Sequence, residues 1–247
     1  MIELTTSAWA ILLIGALIVG IAKTALPGSA TLTVALYAAV LPARESTAVL
    51  LILLITGDLM AVWIYRKDVD WQILKKLIPP VLVGLALGAV FLALVDDTTM
   101  RRSIGAILIL LTALTLVMMR RGKLDAESTL TDPRIRGVYG ALGGFTTMTA
   151  NAGGPVMTLY FIAARFDVKR FLATQAWFFF AVNVTKVPIQ IGLGLLRMEH
   201  LPLLATLAPA VIVGALLGRV LVKRMDQTLF TNVVLGLTVV SSLYLLR

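Results

Sequence analysis

Long apolar runs alternate with short charged segments along the chain. The runs lie at 8–41, 47–65, 77–95, 103–119, 137–164, 171–191, 201–222 and 228–246. Most hold about 19 residues, and a helix of that length spans a hydrocarbon layer of ~30 Å. Lipid offers no partners to backbone groups, so these spans are predicted to be helices. A membrane β-barrel would instead need ~10-residue segments of alternating polarity, and the sequence shows none.

Two runs, 8–41 and 137–164, are too long for a single span and are interrupted near their middle. The first is broken by Lys-Thr-Ala-Leu-Pro-Gly-Ser at 23–29 and the second by Thr-Thr-Met-Thr-Ala-Asn-Ala-Gly-Gly-Pro at 146–155. Proline and glycine both disfavour a continuing helix. Each run is therefore either one discontinuous helix or two shorter helices folded into a hairpin.

The sequence also contains an internal repeat. The segment Pro-x-Val-x-Val-Gly-x-x-Leu-Gly at 79–88 recurs at 209–218, and Leu36-Tyr37 recurs as Leu159-Tyr160 after the two breaks. These matches predict a first repeat at 1–119, a hydrophilic basic linker at 120–136 and a second repeat at 137–247. Gly84-x-x-x-Gly88, Gly214-x-x-x-Gly218 and Gly140-x-x-x-Gly144 are expected to be small-residue seams between closely packed helices.

Composition restricts the class of protein. Residues of the set AVILMFWYC make up 59% of the chain and charged residues 14%, against ~25% charged in soluble domains. These values exclude a water-soluble enzyme, a nucleic-acid-binding domain and a disordered chain. The net charge of +9 is explained by basic loops between spans rather than by a nucleic-acid partner. With no cysteine and one histidine, His200, neither a metal site nor a cofactor is expected.

The loop charges distinguish the two models of the long runs. If both runs are hairpins, the loops near 66–76, 120–136, 165–170 and 219–224 share one side and carry fifteen basic residues, against five on the other side. If each run crosses once, the best division is eleven to nine. The positive-inside rule favours the hairpins. A hairpin plus three spans is an odd unit, so the two repeats would be inverted, with the linker cytoplasmic and both termini outside. The start at 1–4 lacks a basic segment, so the first apolar run is expected to be retained.

Helix breaks inside a membrane predict an anion site. The segment after a break begins with unpaired N–H groups and a partial positive charge, and an anion satisfies both. Inverted repeats with broken helices are typical of secondary transporters that bind substrate where the breaks meet. The expected substrate-binding residues are those of the breaks and of the polar stripe on 171–191: Lys23, Thr24, Pro27, Gly28, Ser29, Thr31, Thr147, Thr149, Asn151, Gly153, Gly154, Gln175 and Lys186.

Three charged residues lie inside apolar runs. Lys23 precedes the first break, Asp58 lies within 47–65 and Lys186 within 171–191. Each costs roughly 2.5–3.5 kcal/mol at the bilayer centre on insertion scales, so such residues are usually functional or paired. One alternative is a structural Lys–Asp pair plus one lysine that snorkels to the interface. The other is that one or both lysines balance the charge of a bound anion, with Asp58 in an ion pair or coupling role. Gln175, Asn183 and Gln190 add a polar stripe to the run that holds Lys186.

Taken in order, these motifs resemble the TauE/SafE family of membrane exporters. The resemblance rests on Lys-Thr-x-x-Pro-Gly at 23–28, Asn-Ala-Gly-Gly-Pro at 151–155, a Pro-x-x-x-x-Gly-x-x-x-Gly helix in each half and the basic linker. It implies a duplicated protein of the bacterial inner membrane that moves sulfite or organosulfonates. It also implies that the breaks from Lys23 to Thr31 and from Thr147 to Pro155 form the site. The second half departs from the pattern with Thr146 opposite Lys23 and an Asn-Ala pair in place of glycine.

We therefore expect an all-α polytopic membrane protein that is not an enzyme but a secondary transporter. It would export small sulfur-containing anions by alternating access, with the bilayer and the anion as its partners. An anion channel is the main alternative. An intramembrane enzyme would need clustered nucleophiles or acid–base pairs, and a structural membrane subunit would leave the two matched breaks unexplained.

Overall fold

The computed structural model describes residues 5–94 and 126–245, together with the isolated positions 106, 109, 110, 113 and 117. Within these ranges the chain is helical and contains no strand. The predicted run 103–119 and the beginning of the linker lie largely outside the described residues. The prediction of an all-α protein is confirmed for the part that is described.

The helices follow the apolar runs closely. In chain order they are α1 Thr6–Thr24, α2 Ala30–Ala38, α3 Ala43–Tyr65, α4 Trp71–Leu94, α5 Ala126–Thr131, α6 Pro133–Ala150, α7 Gly153–Ala163, α8 Val168–Gly192, α9 Leu201–Val222 and α10 Gln227–Leu245, with a 3-10 turn Met198–His200 before α9. Segments in α1, α3, α4 and the turn with α9 are long and apolar enough to cross a membrane. The linker is not wholly irregular, because α5 and the first residues of α6 lie within it.

Both long runs fold as helical hairpins. The Tyr37 hydroxyl of α2 donates to the carbonyl of Leu12 in α1 at 2.9 Å, so α2 runs back along α1. In the second run, the rings of Tyr139 and Tyr160 lie 5.5 Å apart, which brings α7 back along α6. With 9 and 11 residues, α2 and α7 are only roughly 14–17 Å long and cannot span the bilayer. The hairpin alternative is therefore the correct one for both runs.

Loops that the hairpin arrangement places on one side do meet at one end of the molecule. Asp70, which follows α3, pairs with Arg170 at the start of α8. The side-chain amide of Gln227, at the start of α10, donates to the Phe166 carbonyl at 3.2 Å. The Tyr160 hydroxyl donates to the carbonyl of Thr129 in α5 at 3.4 Å. This end therefore carries the loops with the larger share of Lys and Arg.

Asp70 fixes this end of the bundle. Its side chain accepts a hydrogen bond at 3.0 Å from the backbone N–H of Ile73, in the first turn of α4. The backbone N–H of Asp70 donates to the Thr174 hydroxyl, also at 3.0 Å. Partial burial opposes ionisation of Asp70, but the hydrogen bonds from Arg170 and Ile73 outweigh it and hold the pKa of Asp70 below its usual value. The loop after α3 is thereby attached to α8.

Two glycine seams join the halves of the chain. A Cβ atom built on Gly84 would lie 2.0 Å from the carbonyl oxygen of Ala141, so α4 and α6 approach as closely as backbones can. A Cβ atom on Gly214 would lie 2.2 Å from the carbonyl oxygen of Leu17, and α9 meets α1 in the same way. The two contacts involve corresponding positions of the two halves, because Gly84 and Gly214 are 130 residues apart and Leu17 and Ala141 are 124 residues apart. The predicted seams are confirmed as contacts within one chain.

Candidate binding site between the two helix breaks

The first break is a tight turn between α1 and α2. The N–H of Ala25 still bonds to the Ile21 carbonyl at 2.8 Å, and the chain then leaves the helix. Gly28 adopts φ of 94°, a region in which a side chain would be strained. The backbone can therefore reverse within five residues and begin α2 at Ala30.

The second break uses a different residue for the same purpose. Asn151 ends α6 in the left-handed conformation, with φ of 52°. Its N–H donates to the Thr147 carbonyl and that of Ala152 to the Thr146 carbonyl, both at 3.1 Å. α7 then begins at Gly153, and no side chain caps this start because Ala152 occupies the N-cap position. The backbone N–H groups in the N-terminal turn of α7 are therefore available to a group bound in front of the helix.

The two breaks meet. A Cβ atom on Gly154 would lie 3.6 Å from the backbone nitrogen of Gly28, which is ordinary van der Waals contact. A small cavity lies beside this contact. The volume that a water-sized solute can occupy in it is about 20 Å³, enough for one water molecule. Its lining comes from both breaks and from α3 and α8: Ala22, Lys23, Pro27, Gly28, Ala30, Thr31, Leu54, Thr147, Asn151, Gly154, Gln175, Phe179 and Asn183.

Lys23 supplies the cation of the cavity wall. Its Nζ lies 2.6 Å from Oδ1 of Asp58, and the two side chains are 9% and 0% exposed. The Asn183 amide donates to the other oxygen of Asp58 at 2.7 Å. Nζ also lies 4.5 Å from the centre of the Phe179 ring. Asp58 and Asn183 thus hold the ammonium group of Lys23 at the cavity.

Lys186 lies behind the second break rather than in the cavity wall. It is fully buried, so it does not snorkel to the interface. Its ammonium group donates to the Thr147 carbonyl at 2.7 Å and to Oδ1 of Asn151 at 2.5 Å. A cation is favourable at this C-terminal end of α6, and it fixes the Asn151 side chain that lines the cavity. Asn151 in turn donates to the Thr47 carbonyl at 3.3 Å.

The charges around the cavity do not cancel. Lys23, Lys186 and Asp58 interact electrostatically with one another, and two of the three side chains are basic. These three groups leave one positive charge in excess when all are ionised. A buried excess charge is costly without a counter-charge, so the site suits a bound anion.

Most predicted site residues meet at the cavity. Those in its lining are Lys23, Pro27, Gly28, Thr31, Thr147, Asn151, Gly154 and Gln175. Those outside the lining are Thr24, Ser29, Thr149, Gly153 and Lys186. The hydroxyl groups of Thr24, Ser29 and Thr149 donate to the carbonyls of Ala215, Leu26 and Phe145 at 2.8–2.9 Å and are therefore committed to packing. Gly153 packs closely, since a Cβ atom on it would lie 2.8 Å from the Thr147 side chain.

Three lining residues on α3 and α8 were absent from the predicted site. Leu54, Phe179 and Asn183 join Gln175 in the cavity wall. The helical spacing of Gln175 and Asn183 on 171–191 was a usable signal for Asn183. Leu54 and Phe179 carry no signal that separates them from ordinary core residues.

Gln190 provides a prediction about stability. It is fully buried, and within the part of the chain that the structure describes neither its carbonyl oxygen nor its amide nitrogen has a hydrogen-bond partner. An unsatisfied buried amide costs about 1–3 kcal/mol, so Gln190→Leu should raise the free energy of unfolding by about 1 kcal/mol or more. Thermal unfolding of the purified protein measures the change. Gln227→Leu is the matched control and should destabilise, because both polar atoms of Gln227 are bonded. A lower melting temperature for Gln190→Leu would contradict the prediction.

Comparison with known protein families gives a match over nearly the whole chain. The sequence model of a family described as "Sulfite exporter TauE/SafE" matches residues 12–245, nearly the whole chain. The match includes both helix breaks and both glycine seams. No curated protein and no solved structure matches the chain significantly.

Proposed function

Since this chain belongs to the sulfite exporter TauE/SafE family of membrane transporters, we propose that it exports small sulfur oxyanions and organosulfonates through the cavity between its helix breaks. Transport would proceed by alternating access across the inner membrane of the cell, with the linker 120–136 on the cytoplasmic side. Family membership already makes the protein a multi-pass membrane protein of an anion-exporting family.

The cavity at Lys23 carries the proposal. Two backbone breaks from distant parts of the chain come into contact there, and a lysine ammonium group lines the same space. When Lys23, Lys186 and Asp58 are all ionised, their excess of one positive charge would be balanced by a monoanion. Thr31, Asn151 and the start of α7 offer further donors around it. A cation site would instead want several carboxylates, and Asp58 is already paired.

The arrangement of the two halves supports alternating access. The seams α1–α9 and α4–α6 involve matching residues, and each joins a hairpin of one half to a helix of the other. Such matching is expected if the halves are inverted repeats that rock about a shared site. A cavity of about 20 Å³ holds one water molecule but not a sulfite ion, so this conformation is closed at the site. Substrate would enter when the breaks separate.

Export of an anion needs no coupled ion. A monoanion that leaves an interior-negative cell gains ~2.3 kcal/mol per 100 mV. Asp58 is held by both Lys23 and Asn183, which favours a fixed structural charge over a proton carrier. We therefore propose uncoupled, potential-driven efflux.

Efflux from proteoliposomes tests the proposal. Vesicles loaded with sulfite, sulfoacetate, taurine or a simple carboxylate are compared with vesicles that lack protein. We expect sulfite or a sulfonate to leave with saturable kinetics, to show trans-stimulation and to leave faster when the interior is negative. Flux that does not saturate and shows no trans-stimulation would identify a channel. No flux of any of these solutes would reject export.

A further inference from the structure

Two residues of the cavity wall carry a buried acceptor that has no hydrogen-bond donor among the described residues. Asn183 uses its amide nitrogen on Asp58, which leaves its carbonyl oxygen, Oδ1, buried and unpartnered. Because the ion-paired carboxylate of Asp58 only accepts, the orientation of the Asn183 amide is fixed. Oε1 of Gln175 is likewise buried without a partner. Both residues line the cavity beside Lys23.

These acceptors restrict what the cavity can bind well. An anion with acceptor atoms alone would satisfy Lys23 and the donors of the breaks, but it would leave Asn183 Oδ1 desolvated and unpaired, and Gln175 Oε1 as well while the Gln175 amide keeps its present orientation. Leaving a buried acceptor unsatisfied is costly, whereas supplying a donor removes that cost. The charges set a second restriction: with Lys23, Lys186 and Asp58 all ionised, one positive charge is in excess, and a dianion would leave one negative charge uncompensated.

We propose, on the basis of the proposed function, that the site selects singly charged oxyanions that also carry an N–H or O–H donor, and that Gln175 and Asn183 determine this specificity. The preferred class contains hydroxyl- or amino-bearing sulfonates and the hydroxyl form of hydrogensulfite. Fully deprotonated dianions and purely alkyl sulfonates are disfavoured. Lys23 binds the anionic oxygens, and the two amide oxygens accept from the donor of the ligand.

Sulfamate and methanesulfonate form a suitable pair of probes. Both are tetrahedral monoanions of nearly equal size, but sulfamate carries an amino group where methanesulfonate carries a methyl group. Each is titrated as a competitor of sulfite efflux from proteoliposomes that contain the full chain, with sulfate as the dianion that has no donor. We expect sulfamate to compete about tenfold better than methanesulfonate, and sulfate to compete worst.

Variants of α8 assign the preference to a residue. Gln175→Met keeps the size of the side chain and removes the acceptor, so the preference for sulfamate should fall from about tenfold to about threefold or less. Gln190→Met is the matched control, because Gln190 is also a buried amide on the same helix but does not line the cavity. It should keep the preference of the unmodified protein. Thermal unfolding shows whether each variant is folded, and the comparison of probes on the unmodified protein does not depend on any variant.

The outcomes separate this inference from the proposed function. Suppose that sulfite is exported but the two monoanions compete equally, or that sulfate competes as well as sulfamate. The proposed selectivity is then wrong, and the proposed export function is unaffected. The selectivity is also wrong if sulfite is exported and sulfamate does not compete at all. If the preference survives in Gln175→Met, the assignment to Gln175 is wrong. If neither sulfite nor any of the other solutes leaves the vesicles, the proposed function itself fails.

Discussion

Replacing Lys23 with methionine is expected to lower sulfite efflux about 100-fold or more and to destabilise the protein by about 3–5 kcal/mol. Lys23 is the cation that lines the cavity, and methionine has a similar length but no charge. The substitution also leaves Asp58, which is fully buried, as a charge without its counter-ion. Efflux from proteoliposomes and thermal unfolding measure the two losses.

The double variant Lys23→Met/Asp58→Asn separates these effects. It removes both charges of the pair, and asparagine can still bond to Asn183, so stability should return to within about 1 kcal/mol of the unmodified protein. Efflux should stay low because the cavity still lacks its cation. If the double variant exported sulfite at the normal rate, the Lys23–Asp58 pair would be structural and the anion would bind elsewhere.

Gly84→Ala is expected to destabilise the protein by about 3 kcal/mol or more. The added Cβ atom would lie 2.0 Å from the carbonyl oxygen of Ala141, and backbone cannot yield as a flexible side chain can. The helices α4 and α6 would have to separate along their whole seam. Gly214→Ala should have a similar effect, because its Cβ atom would lie 2.2 Å from the Leu17 carbonyl oxygen. Thermal or denaturant unfolding in detergent measures both.

Gly137→Ala serves as the matched control for the glycine seams. Gly137 lies near the start of α6, and nothing in the described part of the chain lies within 4 Å of a Cβ atom built on it. Alanine should therefore stabilise the helix by about 0.5–1 kcal/mol. Equal stability of Gly84→Ala and Gly137→Ala would show that α4 and α6 are not packed backbone to backbone.

Much of the architecture could be predicted from local features of the sequence. Interruptions at Pro27-Gly28 and Gly153-Gly154-Pro155 mark the breaks because proline and glycine act within a few residues. The distribution of Lys and Arg among loops favours hairpins, and the loop contacts agree with that choice. Seam glycines were recognisable because their spacing of four places them on one helix face.

The side-chain chemistry of the site was less predictable. Thr24 and Thr149 appear as available donors in the sequence, yet each lies in a helix where its hydroxyl bonds to a carbonyl four residues earlier. The partner of Asp58 could not be chosen between Lys23 and Lys186, because the choice depends on how α1, α3 and α8 pack. In the structure Asp58 pairs with Lys23, whereas Lys186 donates to Asn151 at the second break. Long-range packing, not local pattern, decides these roles.

The glycine seams also set an order for biogenesis. α1 is synthesised before α9, but the face of α1 that carries Gly20 packs against α9. α4 must likewise wait for α6. Neither half can complete its helix packing alone, so a nascent chain holds unpaired glycine faces in the membrane until the second half has been inserted. The α4–α6 seam can therefore form before the α1–α9 seam, which must await insertion of α9.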